Sequence, residues 1–209
     1  MHFEGANGST VFTDAANPAR NFSVFGSAAL SNAQPLIGST SLAVTAGTSY
    51  VQAADAPELR LSGEFTLEFF MYLNTVGSGF QTALYKASSS SGSSARIQIT
   101  SGGMFVGADD ATGGTPTINA PLSALKVKTR QHFALESYNG KWTIYIDGAQ
   151  QAQVAVTTQT FGNNSSPMQI GGDFAGAYSL GGYMDEFRIS NVARYKGPFT
   201  APSGTFVVD

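Results

Sequence analysis

The chain has 209 residues, no cysteine and a formal net charge of −3; 42% of it is hydrophobic and only 12% is charged. That length suits one large all-β domain or two small ones. The missing cysteines remove disulfides, thiolate catalysis and Cys-based zinc sites, and His2 and His132 are too few for a multi-histidine metal centre. No basic cluster is present to meet a nucleic acid, and no apolar run approaches the ~20 residues of a membrane span. The start, Met1–Gly5, has neither a basic n-region nor an apolar h-region, so the chain reads as made in the cytoplasm without a signal peptide.

The predicted elements are short strands from end to end. His2–Phe3, Val11–Phe12 and Phe22–Phe25 open the chain, punctuated by Gly5, Gly8, Pro18 and Gly26. Ser41–Val44 and Ser49–Gln52 read as strands on either side of a turn. Asp55–Leu59 reads as a short helical turn, with Asp as N-cap and Pro in the second position. Phe65–Leu73 is the clearest strand, with Phe65, Leu67, Phe69, Met71 and Leu73 on one face and Thr66, Glu68, Phe70 and Tyr72 on the other. Apolar groups on both faces make it central and doubly covered. Phe80–Lys86, Arg96–Thr100 and Met104–Ala108 follow, interrupted by two loops, Ala87–Ser94 and Asp109–Thr117.

Phe133–Tyr138 and Trp142–Ile146 are joined by Asn139-Gly140, a two-residue type I′ hairpin signal, and Asp147-Gly148 turns the chain again. The result is a three-stranded meander in which Trp142, Ile144 and Ile146 share a core face. A polar loop, Thr158–Pro167, leads to a short strand at Met168–Gly171. The last strong strand is Gly182–Ser190. Strict alternation there groups Tyr183, Asp185, Phe187 and Ile189 opposite Met184, Glu186 and Arg188. An irregular tail begins at about residue 197, with Thr205–Val208 as an extra edge strand. No repeat or linker divides this pattern, so residues 1–209 read as one all-β domain, a jelly-roll sandwich of two antiparallel sheets.

Three carboxylate positions invite a chemical reading. Glu68 sits on a doubly covered strand, where a hydrogen-bonded carboxylate is the ordinary outcome. Asp109-Asp110 offers oxygen ligands to a calcium ion, although aspartate is also a default turn residue. Asp185 projects among apolar neighbours, and a buried carboxylate must be paired, metal-bound or hydrogen-bonded.

The order of these segments resembles the laminin-G/concanavalin A-like family. Phe65–Met71 (FTLEFFM), Gln131–Leu135 (QHFAL), Trp142–Gly148 (WTIYIDG) and Gly182–Ser190 (GYMDEFRIS) match its strand motifs in sequence and spacing. Arg130 stands near the position where the family often has Trp, and Glu4 where Asp is common. His2–Thr10, Ala193–Tyr195 and Phe199–Pro202 resemble the versions carried by tailed bacteriophages. The resemblance implies a virion surface setting, with capsid or other virion proteins as partners and possible assembly as a homo-oligomer. It further implies a structural Ca²⁺ held by Asp185 with Gly5 and the Gly38-Ser39 turn. The alternative is that Asp185 accepts only backbone or hydroxyl hydrogen bonds.

Three functions follow from these readings. The first is a non-enzymatic decoration or cement protein that binds and reinforces the particle. The second is a lectin-like module of a fibre or tail adhesin that takes a surface glycan. Candidate contacts for either are Tyr178, Phe161, Phe174, Asn163 and Asn164, with Phe80 as a further exposed tip. The third, a glycan hydrolase, lacks its signature. Glu64 and Glu68 are four residues apart with no Asp between them, and no carboxylate pair stands at the spacing that acid–base work needs.

Overall fold

The computed structural model describes residues 1–16, 20–45, 47, 49–77, 79–87, 95–108, 117–173 and 178–207. Its strands are β1 (Phe22–Phe25), β2 (Ala29–Ser31), β3 (Ser41–Val44), β4 (Tyr50–Ala53), β5 (Leu61–Ser62), β6 (Phe65–Leu73), β7 (Gln81–Lys86) and β8 (Ala95–Thr100). They continue with β9 (Gly103–Ala108), β10 (Thr117–Pro121), β11 (Arg130–Tyr138), β12 (Lys141–Ile146), β13 (Ala149–Ala155), β14 (Thr160–Phe161), β15 (Met168–Ile170) and β16 (Gly182–Ser190). The first sheet runs β1-β4-β15-β7-β8-β9-β10, the second β13-β12-β11-β6-β16-β3-β2, and β14 pairs with β5. All these pairings are antiparallel, so the jelly-roll architecture is present.

The predicted meander is β11-β12-β13. Asn139 and Gly140 take positive φ values of 48° and 71°, as a type I′ turn requires. Trp142 is fully buried and packs edge-on against Phe65 and Phe161. Phe65, Leu67, Phe69, Met71 and Leu73 of β6 face the other sheet and fill the inter-sheet core. Phe70 and Tyr72 point outward into a second, smaller cluster with Leu36, Ile37, Phe206 and Tyr183.

Several expectations are corrected. Residues 2–3 and 11–12 form no strand, and the two strands flanking the predicted turn, β3 and β4, lie in different sheets. The helical turn is a 3₁₀ turn over Pro57–Leu59 with Ala56 at its N-cap, because Asp55 spends its carboxylate on Arg60 and Lys86 instead. Residues 205–207 are irregular, and Val208 lies outside the described residues, as do residues 88–94 and 109–116 of the two long loops.

The largest correction is in β16. Asp185 opposes Phe70 while Arg188 opposes Glu68, so three steps on β16 match two on β6. This bulge, at a Glu186 with φ of 51°, reverses the alternation. Tyr183 and Asp185 therefore face outward with Phe70, whereas Phe187 and Ile189 turn inward to the core.

Candidate functional site

The outward surface of the second sheet is polar in sequence and closed in structure. Glu68 is fully buried, accepts from Arg188 Nε and Nη2 at 2.9 and 2.7 Å and from the Tyr195 hydroxyl, and lies 3.1 Å from His132 Nε2. Burial opposes its ionisation, but hydrogen bonds from His132 and Tyr195 and the Arg188 charge hold it below the usual carboxylate range. Glu136 accepts the main-chain N–H groups of Tyr195 and Lys196 at 2.6 and 2.8 Å. The segment after β16 is thereby tied across the sheet. Tyr195 stacks on Phe199, Phe199 contacts Tyr145, and Phe206 lies over Phe70 under the Arg188 guanidinium. The predicted irregular tail is a packed strap.

Asp185 belongs to the same buried surface. Its Oδ2 accepts from Ile37 N–H at 3.0 Å and Ser41 Oγ at 2.9 Å, and its Oδ1 from Glu186 N–H at 2.9 Å. Burial pushes its carboxyl up to about 7, against these three donors. Gly38 and Ser39 meet a different carboxylate: Glu4 accepts from Ser39 N–H at 2.9 Å and from Ser39 Oγ at 2.5 Å. Gly38 has φ of +68°, and a β-carbon there would collide with Glu4 Oε1. Gly5 N–H donates to Thr40 Oγ1 at 3.2 Å. The implied calcium ligands are thus split between two carboxylates, each already met by hydrogen-bond donors. Among the described residues, no group of three or more His, Asp or Glu side chains is placed to hold a metal. Asp185 and Glu4 thus spend their oxygens on separate N–H and O–H donors.

The outward face of the first sheet is built differently. Inward residues of its strands, such as Val51, Ile170, Leu84, Ile97, Val106 and Ile118, enter the core. Alternation therefore sends Ser23, Gln52, Gln169, Tyr85 and Arg96 outward in one cross-strand row. The next row carries Phe25 opposite Tyr50, and Thr82, Gln98, Phe105 and Asn119 in register. Glutamines, hydroxyls and aromatics make up this surface, with Arg96 set over Phe105, and no carboxylate stands on its described strands.

Gln169, on the central β15, is only 4% exposed. Its Nε2 donates to Gln52 Oε1 at 3.0 Å, and its own Oε1 meets no donor. A buried amide oxygen without a partner costs about 1–3 kcal/mol, and this oxygen is itself covered by its neighbours.

One end of this face is aromatic. Strand pairing brings the end of β1, the start of β4, the end of β15 and the start of β7 together. Phe25 stacks on Tyr50 at 4.5 Å, and Phe80 contacts Tyr178 at 5.4 Å. Phe25, Phe80 and Tyr178 are 38%, 51% and 41% exposed, which gathers three large exposed apolar side chains at one sheet end. Burial, followed by the nearby Asp173 charge, raises the Tyr50 hydroxyl pKa.

Of the contacts expected from sequence, Tyr178 lies here. Phe161 is buried between Phe65 and Trp142, because β14 pairs with β5 and draws it into the core. Asn164 holds Lys86, Asn163 is exposed beside it, and Phe174 lies outside the described residues. Sequence reasoning missed Phe25, Tyr50, Gln52, Gln98 and Gln169. The alternation of Arg96-Ile97-Gln98-Ile99-Thr100 was the available signal for Gln98.

Two antiparallel sheets, one strapped and one presenting a polar, aromatic surface, make up a jelly-roll sandwich. The chain belongs to the concanavalin A-like lectin/glucanases superfamily, whose laminin-G-type model matches residues 45–196. No curated protein matches it in sequence. Among solved structures, the binding domain of Paraclostridial mosquitocidal protein 1 aligns at 14% identity and a TM-score of 0.66, covering 87% of this chain and 46% of that one. The chain thus spans less than half of that structure. The sialidase CBM40 of Ruminococcus gnavus, solved with α2,3-sialyllactose, aligns at 15% identity and a TM-score of 0.55, over 65% of this chain and 80% of that one. Domain 4 of the Geobacillus stearothermophilus arabinanase AbnA, solved with arabinotriose, aligns at 14% identity and a TM-score of 0.60, over 83% of each chain. These are likenesses of fold.

Proposed function

We propose that this chain is a non-enzymatic carbohydrate-binding module that takes a glycan on the outward face of its first sheet. The observation that carries this reading is the cross-strand floor of solvent-reached amide and hydroxyl oxygens from Gln52, Tyr85 and Gln98, ended by the exposed Phe25, Phe80 and Tyr178. Sugars offer hydroxyl donors to such oxygens and apolar C–H faces to such rings, and few well-placed polar groups among aromatics are the usual make-up of a small-molecule site. The fold neighbours solved with sialyllactose and arabinotriose support the reading as analogy. So does the placement of the buried carboxylates: Glu68, Glu136 and Asp185 lie under the strap or the 36–41 segment, away from this face.

The phage-like ends supply the setting, a fibre or tail adhesin that meets a host glycan. The same ends also imply the decoration or cement role, in which the chain binds and reinforces the particle. A glycan array probed with the intact chain and with Phe25→Ala tests the reading. Binding to at least one glycan class, lost in the variant, is the expected result, and an array without any binder refutes it. Mass spectrometry of purified particles tests the setting separately.

A further inference from the structure

At the opposite end of the first sheet, Lys86 closes β7 with a side chain that is wholly buried. Its stem runs against Gly162, where a β-carbon would stand 3.0 Å from Lys86 Cδ. Its Nζ donates to Asp55 Oδ1 at 2.8 Å and to the main-chain oxygen of Asn164 at 2.5 Å, and lies 3.4 Å from Asn164 Oδ1. The Asn164 carboxamide is held from both sides. Ser166 N–H donates to its Oδ1 at 2.8 Å, and its Nδ2 donates to Lys86 O at 3.1 Å.

We propose that Lys86 and Asn164 are the partners of an intramolecular amide cross-link that the folded chain forms by itself. Each part of the reaction has a group in place. Burial lowers the Lys86 pKa against the pull of Asp55, so the neutral amine is nearer to hand than on a surface lysine. Asp55, within hydrogen-bond reach, accepts the ammonium proton as general base. Arg60 also pairs with Asp55 and keeps that carboxyl below its usual range, so Asp55 starts ionised. The Ser166 N–H points at the carbonyl oxygen on which negative charge develops. The amine lies 3.4 Å from Oδ1 of the amide it attacks, so the two reacting groups are neighbours in the folded chain.

The step balances without an oxidant or cofactor. A bond forms between Lys86 Nζ and Asn164 Cγ, and the Cγ–Nδ2 bond breaks. The ammonium sheds two protons; one passes through Asp55 to Nδ2, which leaves as ammonia, and ammonia takes up the other. The product ties the end of β7 to the segment between β14 and β15, 78 residues apart in sequence.

Intact-mass and peptide mass spectrometry of the purified full chain test this. The expected mass is below the sequence mass by one ammonia, about 17 Da, and digestion releases one branched peptide containing both Lys86 and Asn164. Lys86→Met and Asn164→Ala should each restore the full mass, and Asp55→Ala should slow or stop the loss. The wild-type chain alone decides the matter if a variant fails to fold. The uncross-linked mass, or an ammonia loss confined to a linear peptide as in succinimide formation, overturns the proposal.

Discussion

The outward faces of the two sheets use polar side chains for opposite purposes. On the second sheet, Glu68, Glu136, Asp185 and Glu186 are buried, and each accepts hydrogen bonds from the strap, the 36–41 segment or neighbouring strands. On the first sheet, the polar groups are mostly neutral amides and hydroxyls, solvent reaches Gln52, Tyr85, Arg96 and Gln98, and Gln169 keeps an oxygen unused. Charge buried and paired specifies how a segment docks, whereas neutral polarity left open is available to a ligand.

The comparison breaks most visibly at Glu68. Glu68→Ala strands the Arg188 and His132 groups that face it, and removing one partner of a buried pair costs about 3–5 kcal/mol. The denaturation midpoint should fall accordingly, while glycan binding by the surviving folded protein stays unchanged. Phe206→Ala, which removes the strap's ring from Phe70 and Arg188, should cost about 3 kcal/mol.

A pH series separates two carboxylates of the strapped face. The folded Glu68 pKa is lowered, so its stabilisation is present above the ordinary glutamate range and is lost as pH falls through the folded value. Asp185 has the opposite sign. With a folded pKa of about 7, its contribution is present below the ordinary aspartate range and fades as pH rises through neutrality. Stability should decline from about pH 4 to about pH 7 and level off above that, by at most about 1.4 kcal/mol per pH unit for one group, and Asp185→Asn should flatten that decline.

On the open face, Phe25→Ala should cost about 1 kcal/mol or less, the scale of one exposed aromatic pair. The smallest expected effect is that of EGTA on the thermal midpoint. Asp185 is satisfied by N–H and O–H donors, so no shift is expected; a drop on chelation would reveal a cation bound to the native state.

Much of the scaffold was legible in the sequence. Phe65–Leu73, the Asn139-Gly140 hairpin and Gly182–Ser190 carry period-2 patterns and turn residues whose physics is local. What escaped depends on distant partners. A bulge at Glu186 reverses the facing of half of β16, and nothing in the alternation of that strand marks it. Phe161 looked like a loop tip because its partner strand β5 lies a hundred residues earlier in sequence. The open face was hidden for a similar reason. Gln52, Gln169 and Gln98 come from three separate stretches and become one floor only through sheet order. Of the site expected from sequence, Tyr178 lies at its aromatic end, whereas the proposed calcium ligands divide between Glu4 and Asp185.

The most direct test of the open face is NMR of the side-chain amide groups of Gln52, Gln98 and Gln169 during titration with an oligosaccharide selected on the array. The account predicts that these amide resonances shift together and saturably, and that Phe25→Ala weakens the titration at least tenfold, about 1.4 kcal/mol. Shifts confined to the strap, with the three glutamine amides unmoved, would contradict it.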